Sequence, residues 1–247
     1  MTRPLVAAHR GVPAGAAENS IEAFTNAIGL GADMIEFDVR RTRDGELIAF
    51  HDPAVRGAPI ATVTRDEIAA ATGTRPPLLA DVLATCAGRI RLDVELKEDG
   101  YVPEVMAALR AAVDAGAMDA GDLVVTSFLP AVVAQAKDAF AAVKTGLLVG
   151  SGKPPHHLRA HYRELFPVGL ARRVRADYLA PHYRLAAYGV VGRAAAAGLP
   201  CLLWTVNDPV AIARFAADPR VAAIITDDAA SALSIVGGVP GGAAARP

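Results

Sequence analysis

Cysteine is scarce in this chain of 247 residues: Cys86 and Cys201 are the only two, far apart and without metal-knuckle spacing. This excludes a disulfide scaffold and a thiolate zinc site, and fits buried, reduced thiols in a cytoplasmic protein. A run of about 18 apolar residues is also missing, so no membrane span is expected. The opening stretch MTRPLVAAHRG lacks a signal peptide's long apolar core. There is no excess of positive charge either; the formal net charge is −1, which argues against charge-driven binding of nucleic acid. A glycine-rich phosphate loop is absent after the first candidate strand, where the sequence reads HRGVPAG and not GxGxxG. That counts against the runner-up architecture, an open doubly wound sheet.

What is present is a regular alternation of short apolar strands and amphipathic helices. Strands are expected at 5–8, from Met34 into a hairpin, and at 89–96, 123–127, 144–149, 176–180, 202–205 and 222–226. Helices are expected from Asn19 as N-cap, with Glu22 as its capping-box partner, to Gly29–Gly31, and weakly at 64–71. Further helices are expected at 79–86, 102–115, 130–140, 155–165, 187–197, 208–217 and 229–235. With 53% hydrophobic residues the chain has enough apolar material for one large core, and its length is that of one (β/α)₈ barrel. The fold class is therefore α/β, a TIM barrel with a hairpin and a short insertion (53–78) after strand two. Residues 1–236 form the expected catalytic domain, and 237–247 a tail without fixed structure.

The organising stretch is MIEFDVRRTRDGELIAFHD, from Met34 to Asp52. Ile35, Phe37 and Val39 alternate with Glu36 and Asp38, so both carboxylates share one face of a strand. Asp44-Gly45 reads as a two-residue hairpin loop. That register places Asp38 opposite His51, with Cβ atoms about 5 Å apart; a slip of one residue would turn His51 to the other face. Strand RIRLDVEL puts Asp93, Glu95 and Lys97 on one face, and Asp93 is expected to pair with Arg91.

Active sites of such barrels lie at the C-terminal ends of the strands. His9, Arg10, Glu36, Asp38, His51, Glu95, Lys97, Phe128 and Trp204 all fall there. Packed carboxylates repel unless a cation lies between them. Three carboxylates without cysteine make an oxygen-rich site suited to Ca²⁺ or Mg²⁺. Arg10 and Lys97 add fixed positive charge that fits an anion such as a phosphate. Two histidines from separate parts of the chain suit a general acid–base pair. Phe128 and Trp204 offer an apolar wall, and Tyr183 is a weaker candidate. Glu18 either supports the site or only begins the first helix, while His156, His157 and His161 are read as solvated on a helix.

The motifs HRG (9–11), ENS (18–20), GADMIEFDVRRTRDGELIAFHD (31–52), PLLADVL (77–83), DVELK (93–97), TSF (126–128), WTVN (204–207) and IITD (224–227) resemble those of glycerophosphodiester phosphodiesterases. These enzymes are related to the phosphatidylinositol-specific phospholipases C. The resemblance implies that Glu36, Asp38 and Glu95 hold one divalent cation, that His9 and His51 are the acid–base pair, and that Arg10 and Lys97 grip the phosphate. It implies hydrolysis of a small-molecule glycerophosphodiester to glycerol 3-phosphate and an alcohol, through a cyclic phosphate. Lysophospholipase D activity, a phosphotransferase that stops at the cyclic product, and a non-catalytic barrel binding a phosphorylated metabolite are the alternatives. Departures from the family pattern are Ala17 before ENS, Ala223 before IITD and Asp228-Ala229 after it; they bear on local backbone and not on the proposed chemistry. The insertion offers few large apolar residues, which favours water-soluble diesters over lipids.

Overall fold

The computed structural model describes residues 3–150 and 164–238. The chain opens with β1 (Leu5–His9), α1 (Ile21–Leu30) and β2 (Met34–Arg41), whose return arm is β3 (Leu47–Ala49). The insertion holds the small hairpin β4 (Ala54–Val55) and β5 (Ala58–Pro59), then α2 (Arg65–Thr72) and α3 (Leu79–Cys86). There follow β6 (Arg91–Leu96), α4 (Val102–Asp114), β7 (Leu123–Ser127), α5 (Pro130–Ala139) and β8 (Lys144–Val149). The chain ends with α6 (Val168–Arg173), β9 (Tyr178–Pro181), α7 (Val190–Ala196), β10 (Cys201–Leu203), α8 (Pro209–Ala216), β11 (Val221–Thr226) and α9 (Ala229–Gly237). Strands β1, β2 and β6–β11 pair in parallel, and β1 meets both β2 and β11, which closes an eight-stranded barrel. No helix among the described residues is long and apolar enough to cross a membrane.

Period-two alternation along the strands sorts side chains into two layers. Ile35, Phe37, Val39, Leu92, Val94 and Leu96 belong to the large core between barrel and helices. The barrel interior is a smaller cluster including Ala7, Met34, Val124, Leu148, Leu202 and Ile225. Along β2 the inward row runs Met34, Glu36, Asp38, so apolar packing at the floor gives way to acids nearer the mouth. The insertion packs against β3: Ile48, Ile60 and Ile68 form a separate cluster with Phe50, Val55, Val63 and Leu78 against it.

Three expectations need correction. Helix α1 is capped by Ser20, which accepts from Ala23 N, and not by Asn19; Asn19 instead has φ of 56° and is buried. Helix α6 was not expected, and the predicted helix at 155–165, with His156, His157 and His161, lies almost wholly outside the described residues, as does 239–247.

The third correction is the hairpin register. Val39 pairs with Ala49, Arg40 with Ile48 and Arg41 with Leu47, so Phe50 and not His51 stands opposite Asp38. A two-residue type I′ loop needs positive φ at both Asp44 and Gly45. Only Gly45 has it, at 86°. The loop is accordingly three residues, Arg43–Gly45, closed by Thr42 N donating to Glu46 O at 3.0 Å. Thr42 Oγ1 also takes the Glu46 N–H and donates to Asp44, which stabilises the longer loop.

Candidate active site

The row of acids is completed by β6, which lies beside β2 in register, Glu36 against Asp93 and Asp38 against Glu95. Glu36, Asp38 and Glu95 are all buried, and one carboxylate oxygen from each lies within 4.8 Å of the others. Burial first, then repulsion from Asp38, Glu95 and Asp93, drives the Glu36 carboxyl well above the ordinary range. Burial also raises Glu95, outweighing the nearby Lys97. Asp38 goes the other way: burial would raise it, but Lys97 and Arg10 together hold it below its ordinary value.

Lys97 Nζ lies 2.7 Å from Asp38 Oδ1 and 2.6 Å from Glu95 Oε1, so this predicted phosphate ligand rests on the acids themselves. Arg10 Nε approaches Asp38 Oδ2 at 3.2 Å, and its Nη1 donates to Glu18 Oε1 at 2.8 Å. Glu18 therefore supports the site through Arg10. The turn that aims Arg10 inward needs Gly11 beside it, with φ of 83°; a Cβ there would stand 2.8 Å from the Ala23 backbone. Buried Asn19 was missed as a site residue: its Nδ2 donates to Asp38 Oδ2 at 2.8 Å, and its Oδ1 accepts from Asp38 N at 3.3 Å.

Glu36 Oε2, Asp38 Oδ1 and Glu95 Oε1 are buried without an aligned hydrogen-bond partner among the described residues. Lys97 Nζ, at 2.7 and 2.6 Å, neutralises the latter two, so of the three only Glu36 Oε2 lacks so close a partner among the described residues. Three converging, buried carboxylates at this spacing fit a hard divalent cation, and the cluster holds no thiolate or imidazole ligand among the described residues, which disfavours zinc.

An imidazole stands by the acids at Glu36 and another at Glu95. His9 Nε2 lies 3.7 Å from Glu36 Oε2, and its Nδ1 faces Asp227 Oδ1 at 2.5 Å. The hydrogen bond from His9 holds the Asp227 carboxyl below its ordinary value against partial burial. Asn207 Nδ2 donates to Asp227 Oδ2 at 2.5 Å, while its Oδ1 accepts from Asp227 N. Asp227 and Asn207 carry no distinguishing pattern of their own; only their place in IITD and WTVN at strand ends marked them. His51 lies near enough to Glu95 to favour its ionised form, and its Nδ1 faces Asp52 Oδ1 at 2.9 Å. It stays at the acids despite the register slip because regular pairing ends at Ala49.

Across the mouth, Phe128 follows β7 and Trp204 follows β10; their rings meet edge-to-face at 5.3 Å. Trp204 Nε1 donates to Ala180 O at 2.7 Å, and the ring packs on the interior cluster, so it is both core and rim. His182, after β9, lies edge-on to Trp204 at 5.1 Å and beside Tyr183 at 5.0 Å. Phe128 is 42% exposed, which leaves an apolar surface facing solvent.

Asp93 corrects another expectation. Arg91 pairs with Asp122 at 3.0 Å, and buried Asp93 instead accepts from Thr126 Oγ1 at 2.7 Å. Burial pushes Asp93 up to about 7, against the Thr126 hydrogen bond and with repulsion from Glu95 and Asp38. The folded chain then keeps a proton that the unfolded chain releases near its ordinary value of 3.8, so stability falls as pH rises between those values. Asp93→Asn keeps an acceptor for Thr126 and removes the titration. In EDTA it should raise the unfolding free energy by up to roughly 4 kcal/mol at pH 8, and by clearly less at pH 5. Equal gains at both pH values in denaturant melts, or a loss, would disprove this account of Asp93.

Residues 9–231 match the model of the glycerophosphoryl diester phosphodiesterase family. A glycerophosphodiester phosphodiesterase of Caldanaerobacter subterraneus subsp. tengcongensis is 51% identical over 53 residues, 22% of each chain. The chain thus aligns with only about a fifth of that curated relative's length. A crystal structure of a glycerophosphodiester phosphodiesterase from Parabacteroides distasonis superposes with a TM-score of 0.75 at 25% identity, covering 96% of this chain and 98% of the other. An Oleispira antarctica phosphodiesterase, solved in complex with the product sn-glycerol-3-phosphate, shares the fold with a TM-score of 0.76 at 20% identity, over 96% and 98% of the two chains. With the family model spanning the barrel from His9 at the end of its first strand to the helix after its last, the chain belongs to the glycerophosphoryl diester phosphodiesterase family.

Proposed function

We propose that this protein is a metal-dependent phosphodiesterase that cleaves glycerophosphodiesters to glycerol 3-phosphate and an alcohol. The observation that carries this reading is the pair of imidazoles, each with Nδ1 on a carboxylate, beside a cluster of three buried acids. A carboxylate on Nδ1 favours the tautomer with the proton there, leaving Nε2 of each ring to exchange protons with substrate. The sn-glycerol-3-phosphate bound by the Oleispira relative is the product this reaction would release.

Glu36, Asp38 and Glu95 would hold Ca²⁺ or Mg²⁺, which when bound supplies charge neutralisation at the phosphoryl oxygens. Arg10 and Lys97 orient the phosphate and oppose its growing negative charge. One imidazole takes the proton of the glycerol 2-hydroxyl as that oxygen attacks phosphorus. The other gives its proton to the alcohol oxygen as the phosphorus–alcohol bond breaks. In the second half, water attacks the cyclic phosphate and the bond from phosphorus to the glycerol 2-oxygen breaks; one ring takes the water proton, the other returns one to that oxygen, and both regain their starting states. The glycerol or alcohol carbons lie on Phe128 and Trp204.

Phosphorus NMR of glycerophosphocholine turnover with Ca²⁺ or Mg²⁺ tests this directly. Glycerol 3-phosphate, preceded by a transient cyclic phosphate, is expected. Phosphocholine as the product, or no turnover with any divalent ion, would refute it. A cyclic phosphate that persists would mark a phosphotransferase. Lysophosphatidylcholine in the same assay probes a second reading, single-chain lipids, which the exposed Phe128 and Leu129 favour. The insertion, with Ile60 and Ile68 buried against Ile48 of β3, favours water-soluble diesters.

A further inference from the structure

We infer that Arg40 is a positioning residue that holds His51 at the acid cluster, a task the hairpin ladder does not perform. The inference rests on the reading of His51 as one of the acid–base pair. Regular β2–β3 pairing ends with Val39 and Ala49, and Phe50 N still donates to Asp38 O at 3.0 Å. One more residue in that register would set His51 opposite Phe37. Directly opposed residues share a face, and Phe37 faces outward, packed on Phe24 with ring centroids 5.6 Å apart. A continued strand would therefore carry the imidazole away from Glu95.

Arg40 supplies the alternative. It stands two residues beyond Asp38, on the face of the strand that carries Glu36 and Asp38. Its Nε and Nη2 donate to the His51 carbonyl oxygen at 2.9 and 2.8 Å. Its Nη1 is held by Glu98, and its side chain is only 7% exposed. Glu98 is itself tied down: its N–H donates to Tyr101 Oη at 3.2 Å, and that hydroxyl donates to Val39 O at 2.6 Å. Buried Tyr101 thus anchors the far end of the clamp to β2.

Two N–H groups converging on one carbonyl fix its place in a way that the single ammonium of lysine does not reproduce. Nε, Nη1 and Nη2 all have protein partners, so this guanidinium is committed to the His51 backbone and not to the substrate phosphate. Displacing a reacting group by about 1 Å lowers rates by roughly 100-fold, and His51 has no ladder to fall back on.

Arg40→Lys is expected to lower kcat by roughly 30- to 100-fold with KM changed less than about threefold. Glu98→Gln, at the 38% exposed outer end of the clamp, should lower kcat several-fold and serves if the lysine variant fails to fold. The discriminating measurement is the double variant. In a His51→Ala background neither change should matter, because the group they position is gone. Single variants indistinguishable from the parent, or losses that persist unchanged in His51→Ala, would overturn the role of Arg40. Full turnover by His51→Ala itself would instead overturn the acid–base reading on which it rests.

Discussion

Alanine at His9 or at His51 is expected to lower kcat/KM on glycerophosphocholine by roughly 10²- to 10⁴-fold each, while the protein stays folded. Neither ring is a large part of the core: their side chains are 20% and 35% exposed. The loss comes from chemistry. In the proposed mechanism, removing one imidazole leaves a proton with no acceptor on the attacking hydroxyl, or no donor for the departing alkoxide. The double variant should lose far less than the product of the two single losses, because residues that act as a unit are not additive. Asp227→Asn should lose activity for a related reason, since an amide N–H turned toward His9 Nδ1 favours the tautomer that protonates Nε2. Single-turnover kinetics with phosphorus detection would read all of these. Full turnover in either alanine variant would sink the two-histidine reading, whereas a parent that binds glycerol 3-phosphate but turns over no diester would be a barrel that binds phosphorylated metabolites without cleaving them.

Much of this site can be read from the sequence because it rests on strand alternation. Glu36 and Asp38 share a face for the same reason that Ile35, Phe37 and Val39 enter the core, and the register of β2 with β6 brings Glu95 beside Asp38. Strand and helix positions were legible for the same cause: β7, β8 and α3 span the expected residues. In a barrel, correct alternation places a side chain without knowledge of any long-range contact.

What alternation does not encode was missed. The loop after β2 depended on whether Asp44 would accept positive φ, a choice worth little energy that Thr42 decided through hydrogen bonds. Asn19 looked like a helix cap because asparagine is a good one, but Ser20 took that place and freed the amide to hold Asp38. Arg91 and Asp93 are two apart and look like a pair. Pleating does place them on one face, but Asp93 lies deeper in the barrel and meets Thr126, while Arg91 reaches Asp122 at the base. The Arg40 clamp on a backbone carbonyl leaves no pattern in sequence at all.

Chelation of divalent ions should abolish turnover, and restoring Ca²⁺ or Mg²⁺ should recover it. A Lewis acid worth several kcal/mol of transition-state stabilisation corresponds to a loss on the order of 10³-fold or more. The same residues predict an opposite effect on stability, which separates this from a general loss of fold. With no cation, Glu36 is buried beside Asp38, Glu95 and Asp93, and burial with repulsion holds its carboxyl protonated well above the ordinary range. As pH rises toward that elevated value the unfolded chain gives up the proton first, so the metal-free protein loses stability. Glu36→Gln removes that penalty and a ligand at once. In EDTA at pH 8 the variant should therefore melt above the parent, yet remain inactive after metal is restored. Added cation should stabilise the parent by about 2.7 kcal/mol at 100 times its dissociation constant, and the variant hardly at all. A parent whose melting ignores divalent ions, or a variant stabilised by them as much as the parent, would show that these acids serve the barrel's packing and not a cation, because a ligand that binds the folded state must raise its stability by mass action.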